Sequence, residues 1–474
     1  MPPIHLSSAS SPFSEDSTPE SFFDRLRGDY AFLLRSGEEK GRHDNAPTGR
    51  YSYIGYDPFL IVESDGNTVH LTKRKDFFSV KKSARKRMVE GNPVQVLRDL
   101  MGTFVYKGAV PVPFTGGAAG YFSYDFGCRF AGVEQRVFDD AGIPDFCFAF
   151  TDKLVAFDHE ARQIFFLGLG ETTYSAAEKV KQIQRDVTRS PAFIRSGELG
   201  NLSSNMTKNQ YIKKVLDLKE YLKRGESYQV NFSQRFSAKC TKDPWSLFKK
   251  LSASNPSPFS SYFQYPDFSI VSSSPELLLR KRKNFLETWP IKGTVRRGRN
   301  SREDAKLEKE LLASAKDMAE LAMIVDLERN DLGKVCRPGS VKVIEHRQIQ
   351  KYAHVIHTVS KVSGELDRNK DALDVFEAMF PGGSITGCPK KRTMEIIDHL
   401  EDFKRGVYTG SSGYFSFNGD ADFNILIRTM LLKDNKVLYH VGGGVTIDSD
   451  PGAEYEETLQ KAESLRLALL SEAA

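Results

Sequence analysis

The sequence predicts an α/β protein of the α+β type, in which runs of short strands precede and alternate with amphipathic helices. Short apolar and aromatic runs separated by turn residues dominate the first third of the chain. Longer stretches with apolar residues at helical spacing follow, as over residues 210–224. The chain has 474 residues, 40% of them hydrophobic and 27% charged, which predicts a large core and two or three domains.

The first 190 residues predict a tail followed by a strand-rich region. Residues 1–18 are polar and rich in serine and proline, which favours a flexible tail. The N-terminal region then covers residues 19–190. Its strands are expected over 30–34, 51–54, 60–63, 68–71, 146–150, 154–157 and 164–167, and its helices over 94–104 and 172–189.

A polar connector over residues 190–205 predicts the main boundary of the chain. The second region covers residues 206–474. Its strands are expected over 228–236, 261–265, 268–272 and 277–279, and its helices over 210–224, 303–327, 390–400 and 453–470.

Composition disfavours several classes of protein. Five scattered cysteines without a C-x-x-C motif favour free thiols in the reducing cytoplasm over a zinc site or a disulfide framework. No apolar run reaches about 18 residues, so neither a signal peptide nor a membrane span is expected. Basic residues crowd the segment 73–87, but no aromatic interleaving accompanies them, which favours a solvated surface over nucleic-acid binding.

One lysine occupies an apolar, strand-like run, Glu287-Thr288-Trp289-Pro290-Ile291-Lys292-Gly293-Thr294. Burial disfavours the ammonium form of lysine and lowers the pKa of the amine. An amine with a lowered pKa is a nucleophile, so Lys292 is a candidate for covalent catalysis. The alternative is a structural lysine whose amine reaches solvent from the edge of a strand.

Two pairs of acidic residues have the spacing of one helix face. Asp317 and Glu320 are three positions apart on one expected helix, and Glu454 and Glu457 are three apart on another. Converging carboxylates are typical ligands of a hard divalent cation such as Mg²⁺, which can neutralise an anionic substrate. Solvated helix surface is the alternative for either pair.

Three further patterns indicate an anion-binding site. The loop over 381–389 is rich in glycine, carries the Ser384 hydroxyl and enters a helix, which is typical of backbone anion binding; an ordinary tight turn is the alternative. Glycines at Gly442–Gly444 lie inside a strand pattern, so another group is expected to approach their backbone closely. Arg428, expected within an apolar strand over 425–429, suits a carboxylate ligand. His357 is either a core residue or a site residue.

These motifs, in this order, resemble the chorismate-utilising enzymes, which include anthranilate synthase component I, aminodeoxychorismate synthase component I, and the isochorismate and salicylate synthases. The resemblance is strongest in Asp326-Leu327-Glu328-Arg329-Asn330-Asp331-Leu332-Gly333, in residues 381–390 and in residues 442–457. It implies a two-lobed fold like that of anthranilate synthase component I, with antiparallel β-sheets packed face to face and helices outside. It also implies an active site that binds chorismate and Mg²⁺.

The resemblance also implies roles for individual residues. Glu320 and Glu457 match the Mg²⁺ ligands, with Glu454 nearby. Glu276 matches the general acid that protonates the departing 4-hydroxyl group of chorismate. The residues expected to bind the substrate are Arg428, Tyr408, Ser384, His357, Gly442, Gly443, Gly444, Thr294 and Gln229.

Two positions place the chain nearest to aminodeoxychorismate synthase within this family. Gln229 stands where the water-using members resemble one another in having a lysine base, and glutamine cannot deprotonate water, so ammonia is the expected nucleophile. Pro290-Ile291-Lys292-Gly293-Thr294 resembles the aminodeoxychorismate synthases, whereas anthranilate synthases typically have alanine in place of the lysine. The resemblance therefore implies a transferase in which Lys292 forms a covalent adduct, on the route to p-aminobenzoate and folate.

An effector site and a partner are also implied. Ser36, Pro258 and Phe259 fall where anthranilate synthases bind tryptophan, but the local sequences depart from the usual ones, which disfavours tryptophan feedback and leaves a structural tryptophan site. No run resembles the cysteine nucleophile motif of a glutaminase, so ammonia is expected from a separate glutamine amidotransferase subunit. The alternatives are anthranilate synthase component I and a non-catalytic binding subunit with the same fold.

Overall fold

The computed structural model describes residues 4–14, 17–36, 49–77, 85–106, 108–192, 196–352 and 355–471. Lys81 and Lys82 of the basic segment lie outside these ranges. The strands are β1 (His5–Pro12), β2 (Ala31–Arg35), β3 (Tyr51–Gly55), β4 (Leu60–Asp65), β5 (Thr68–Lys73), β6 (Lys86–Glu90), β7 (Gly117–Phe122), β8 (Phe146–Thr151), β9 (Lys153–Asp158), β10 (Gln163–Gly170), β11 (Ser203–Ser204), β12 (Gln229–Lys239), β13 (Phe259–Gln264), β14 (Phe268–Ser274), β15 (Leu277–Arg282), β16 (Phe285–Trp289), β17 (Ile291–Arg296), β18 (Lys342–Lys351), β19 (Val355–Glu365), β20 (Gly387–Cys388), β21 (Ser411–Ser416), β22 (Ala421–Asn424), β23 (Thr429–Lys433) and β24 (Lys436–Thr446).

The helices begin at residues that favour capping. Thr18, Asn92, Thr172, Thr207, Asp243, Asn300, Ser314 and Asp450 each accept a hydrogen bond from a backbone N–H of the first turn. The helices are α1 (Pro19–Leu26), α2 (Pro93–Thr103), α3 (Tyr124–Ala131), α4 (Thr173–Asp186), α5 (Lys208–Lys223), α6 (Pro244–Ser254), α7 (Ser301–Ala313), α8 (Ala315–Gly333), α9 (Ala372–Met379), α10 (Lys390–Leu400) and α11 (Pro451–Leu470).

The strands form two antiparallel sheets of twelve strands each. The first sheet runs β1-β10-β9-β3-β2-β13-β14-β23-β24-β12-β11, with β20 paired to β12. The second runs β17-β19-β16-β15-β22-β21-β7-β8-β4-β5-β6, with β18 paired to β19. The expected α/β fold with antiparallel sheets is therefore confirmed.

The core has a layer between the sheets and a layer on each outer side. Between the sheets, Ile61 and Tyr414 of the second sheet lie in one buried cluster with Leu154 and Phe263 of the first. A second cluster joins the first sheet to α1, α4, α6 and α11, and a third joins the second sheet to α2, α3, α8 and α9. Because both outer faces are apolar, the helices cover them.

The division at residues 190–205 does not separate two sheets. Strand β2 pairs with β13 and strand β7 pairs with β21, so each sheet contains strands from both regions of the chain. The connector joins α4 to α5 and contains β11 of the first sheet.

Three local expectations are wrong. His5–Pro12 is not a loose tail, because it pairs in register with β10 along its whole length. The long helix expected over 303–327 is two helices, because Ser314 ends α7 and its hydroxyl caps α8. Arg428 is not in a strand: it lies between β22 of the second sheet and β23 of the first, with a φ of 51°, where the chain crosses from one sheet to the other.

No helix in the described ranges is long and apolar enough to cross a membrane.

Candidate active site

The site lies between the two sheets near one end of each. Strands β12 and β24 form its floor, with Gln229 opposite Thr446 and Asn231 opposite Gly444 in the antiparallel register. Gln229 and Asn231 are two positions apart, so their side chains share a face of the strand. Glycine at position 444 leaves this face open: a Cβ there would overlap the Gln229 amide nitrogen and lie 3.1 Å from Lys292 Nζ.

Lys292 reaches this floor from β17 of the second sheet. Its side chain is 14% exposed, and its Nζ lies 3.9 Å from Glu320 Oε2 on α8. Burial lowers the pKa of the amine below its usual value, and the nearby Glu320 carboxylate opposes that shift. The solvent-facing alternative for this lysine is therefore excluded by its position.

The three acidic residues expected to bind Mg²⁺ lie on two facing helices. Lys316 Nζ is 3.9 Å from Glu320 Oε1 and 3.9 Å from Glu454 Oε1, so it lies between α8 and α11. Glu457 forms an ion pair of 2.7 Å with Lys461. Burial raises the pKa of Glu320 and of Glu454, and neighbouring carboxylates add to each shift: Asp317 and Glu454 act on Glu320, and Glu457 acts on Glu454.

These carboxylates suit a hard cation in kind. In the described part of the chain, no three His, Cys, Asp or Glu side chains converge closely enough to hold a metal ion. Glu320 Oε1, however, is buried without a hydrogen-bond partner among the described residues, and like charges at Glu320 and Glu454 favour a cation between them. Oxygen donors of this type are those that Mg²⁺ prefers.

Glu276 is a buried carboxyl group beside the Ser384 hydroxyl of the glycine-rich loop. It immediately precedes β15 and is 5% exposed. Burial raises its pKa above the usual range, while the Ser384 hydroxyl and the Lys292 amine oppose the shift. A buried carboxyl group with a raised pKa is suited to general-acid catalysis.

His357 and Thr294 pair across the neighbouring strands β19 and β17. Thr294 Oγ1 lies 2.7 Å from His357 Nδ1, and the ring is 2% exposed. Burial, with a smaller effect from Arg428, lowers the pKa of His357 to about 3, so the imidazole is neutral near pH 7. A neutral ring can hydrogen-bond a substrate through its Nε2 atom.

Tyr408 lies against the glycine strand at Gly442, on the face that Gly442 shares with Gly444. Its ring stacks on His440 at 5.2 Å, and a Cβ on Gly442 would lie 2.9 Å from its hydroxyl group. Burial raises the pKa of Tyr408 to about 12, so the hydroxyl is a hydrogen-bond donor at neutral pH. A Cβ on Gly443 would lie 3.1 Å from Glu454 Oε2, so Gly443 lies beside the acidic residues.

Several buried polar atoms of this region have no partner in the described part of the protein. Buried polar groups are normally paired, and unpaired ones are costly, so a cluster of them indicates a polar ligand. The atoms are both amide atoms of Gln229, Asn231 Nδ2, Glu320 Oε1 and His357 Nε2.

The residues of the expected tryptophan site line a separate cavity of about 280 Å³. Phe259 of β13 contributes to it with Ser36 and Pro258, which flank β2 and β13 of the first sheet, and Tyr414 and Asn424 contribute from the second sheet. None of the active-site residues above lines this cavity. A ligand bound there would contact both sheets.

Sequence reasoning missed three residues of the active site. Asn231 shares a strand face with Gln229, which the period of two along the expected strand already indicates. Lys461 follows Glu457 by one helical turn and donates to Gly442 O at 3.0 Å. Lys316 gives no signal in the sequence, because its role depends on the approach of α11 to α8.

The fold and the site define an enzyme that binds a small anionic substrate among buried amine, carboxyl and amide groups. Comparison with known proteins agrees: the family model described as chorismate binding enzyme matches residues 45–466. The chain belongs to the family of chorismate-binding enzymes.

Full-length relatives carry two different names. The chain is 38% identical over 477 residues to anthranilate synthase component 1 of Acetivibrio thermocellus, covering 96% of this chain and 94% of the relative. It is also 38% identical over 468 residues to aminodeoxychorismate synthase component 1 of Bacillus subtilis, covering 97% and 96%. The crystal structure of anthranilate synthase component I from Streptococcus pneumoniae TIGR4 matches with a TM-score of 0.79 at 27% identity, covering 96% of this chain and 98% of that one. The predicted likeness to the fold of anthranilate synthase component I is therefore confirmed.

Proposed function

We propose that this enzyme aminates chorismate at C4 with ammonia, in the presence of Mg²⁺, to give 4-amino-4-deoxychorismate, and that Lys292 forms a covalent adduct with the substrate. One observation carries the proposal: the Lys292 amine reaches the floor of the site beside Gln229 and Gly444. A reaction without a lysine nucleophile needs no buried amine at this position.

The proposed reaction consists of two displacements, and atoms and protons balance over the two. In the first, Lys292 Nζ bonds to C2 of the ring, the double bonds shift, and the C4–O bond breaks. Glu276 gives its proton to the departing oxygen, which leaves as water. In the second, ammonia bonds to C4, the C2–Nζ bond breaks, and the surplus proton of the new amine returns to the Glu276 carboxylate. Splitting one substitution into two is the usual benefit of a nucleophilic residue.

The remaining residues bind and orient the substrate. His357 and Tyr408 offer neutral hydrogen-bonding groups, and Arg428, partly exposed beside His357, offers a positive charge for a carboxylate. Glu320, Glu454 and Glu457 are the residues that would hold Mg²⁺. Bound Mg²⁺ would supply positive charge against the negative charge of the substrate.

Gln229 supports ammonia rather than water as the second reactant. Its neutral amide cannot take a proton from water, and both of its amide atoms lack partners in the described part of the chain. We propose that a separate glutamine amidotransferase subunit supplies the ammonia and that the product serves p-aminobenzoate and folate synthesis.

A second candidate is anthranilate synthase component I, because a relative of that name is equally similar. Product identification separates the two reactions. The protein is incubated with chorismate, Mg²⁺ and ammonium, and the products are identified by mass spectrometry with and without a lyase that converts aminodeoxychorismate. The proposal expects aminodeoxychorismate, and p-aminobenzoate once the lyase is added. Fluorescent anthranilate with equimolar pyruvate would overturn it.

A further inference from the structure

Glu328 is a buried carboxyl group that the proposed chemistry does not use. It lies on α8 and is 2% exposed. Among the described residues it forms no ion pair, because its neighbour Asp331 takes both nearby ammonium groups, Lys334 at 2.7 Å and Lys390 at 2.6 Å. Burying an unpaired acid is costly, and an apolar side chain of similar size would avoid the cost.

The Glu328 carboxyl group lies between two segments of the active site. Its Oε2 accepts a hydrogen bond of 3.2 Å from Thr288 Oγ1 on β16, the strand that leads into the Lys292 strand. On the other side is the turn Gly383–Ile385, where a Cβ on Gly383 would lie 3.6 Å from Glu328 Oε1 and only 2.5 Å from Leu327 Cδ2. The turn is therefore packed directly onto this part of α8.

This turn carries Ser384, whose hydroxyl lies beside Glu276 and lowers its pKa. We propose that Glu328 is a positioning residue, whose carboxyl group braces the Gly383–Ile385 turn against β16 and so holds Ser384 beside the general acid Glu276. This proposal depends on the proposed function in one respect: it requires that Glu276 is the general acid.

The charges around Glu328 determine its protonation state. Burial raises its pKa, and Asp331 on the same helix and Glu276 before β15 add to the shift, whereas Lys390 on α10 and the Thr288 hydroxyl on β16 oppose it. The resulting pKa is about 8. At pH 7 the Glu328 carboxyl group is a neutral acid, and above pH 8 it carries a negative charge near Glu276.

Two substitutions separate bracing by hydrogen bonds from simple filling of space. E328Q keeps the shape, stays neutral and can still accept the hydrogen bond from Thr288, so we expect its kcat at pH 7 to stay within about threefold of the wild type. E328L fills the space without hydrogen bonds, so we expect kcat to fall at least about tenfold with little change in KM for chorismate. In the E328L background, S384A should not lower kcat further, because Ser384 is already displaced from Glu276 in that variant.

The pH profile of activity gives a readout that a merely structural role would not move, and thermal stability separately reports that the carboxyl group is buried. With free ammonia held constant, the wild type should lose kcat/KM as pH rises through about 8, and E328Q should lack that decline. The unfolded carboxyl ionises near pH 4.5 and the folded one near 8, so the wild type loses stability between these values. The melting temperature of E328Q should therefore exceed that of the wild type increasingly across this range.

The control is D326N on the same helix, because the Asp326 side chain is 73% exposed and, among the residues that the structure describes, forms its ion pair with Arg329 on the surface. It should match the wild type in every readout. Chorismate consumption is measured rather than product, so a reaction that yields anthranilate would overturn the proposed function without affecting this test. Each of three results would overturn the proposal. They are a wild-type kcat in E328L, an alkaline decline of kcat/KM in E328Q that matches the wild type, and additive losses of kcat when E328L and S384A are combined.

Discussion

The role of Lys292 is tested most directly by comparing two substitutions at that position. We expect K292A to lose about a thousandfold in chorismate consumption with ammonia while the fold survives, because the amine is required for the first displacement. The loss alone would not establish a nucleophile. The amine lies 3.9 Å from Glu320 Oε2, and a pair at that distance is worth about 4 kcal/mol at an effective dielectric constant of about 20.

That energy also corresponds to about a thousandfold in rate if all of it acts in the transition state. A purely electrostatic lysine and a nucleophilic lysine therefore predict similar losses in K292A. K292R separates them, because arginine keeps the positive charge and stays protonated, so it cannot attack the ring. If Lys292 is the nucleophile, K292R is as inactive as K292A.

The assay follows chorismate by chromatography and the product by mass spectrometry, at fixed Mg²⁺ and fixed free ammonia. Circular dichroism and the melting temperature show whether each variant is folded. A folded K292R enzyme within about tenfold of the wild-type rate would refute the covalent mechanism and leave Lys292 as a source of charge.

Three further substitutions test the other groups of the site. E276Q should reduce kcat by about 10² to 10⁴, because an amide cannot protonate the leaving hydroxyl group; a normal kcat would assign the acid elsewhere. E457Q should shift the Mg²⁺ titration of activity to higher concentration, because a ligand charge is lost, and an unaltered titration would contradict its role. G444A should lower kcat/KM at least about tenfold, because the added Cβ overlaps the Gln229 amide. G28A is the control and should leave kcat/KM unchanged, because no atom lies within 4 Å of the added Cβ. Equal effects of the two alanine substitutions would show that the approach at Gly444 is unimportant.

Local patterns predicted most of the elements and many of the site residues. The strand over 228–236 and the helix over 453–470 were predicted close to the observed β12 and α11, because alternation and helical spacing depend only on neighbouring residues. The same reasoning failed for residues 1–18: a short polar segment has no intrinsic strand preference, and His5–Pro12 is extended because β10 offers it an edge to pair with.

The sequence by itself determined which chemical groups the protein carries: a lysine in an apolar run, carboxylates at helical spacing, a glycine-rich loop and a glycine-rich strand. Only the tertiary structure decided which of these groups meet. Lys292 approaches Gly444 because strands of two different sheets face each other, and Arg428 leaves the expected strand because the chain crosses between those sheets. The buried state of Glu328 likewise depends on the packing of α8 against β16 and the turn at Gly383. Such contacts join residues far apart in the chain, and their geometry depends on strand pairing and packing that no local pattern records.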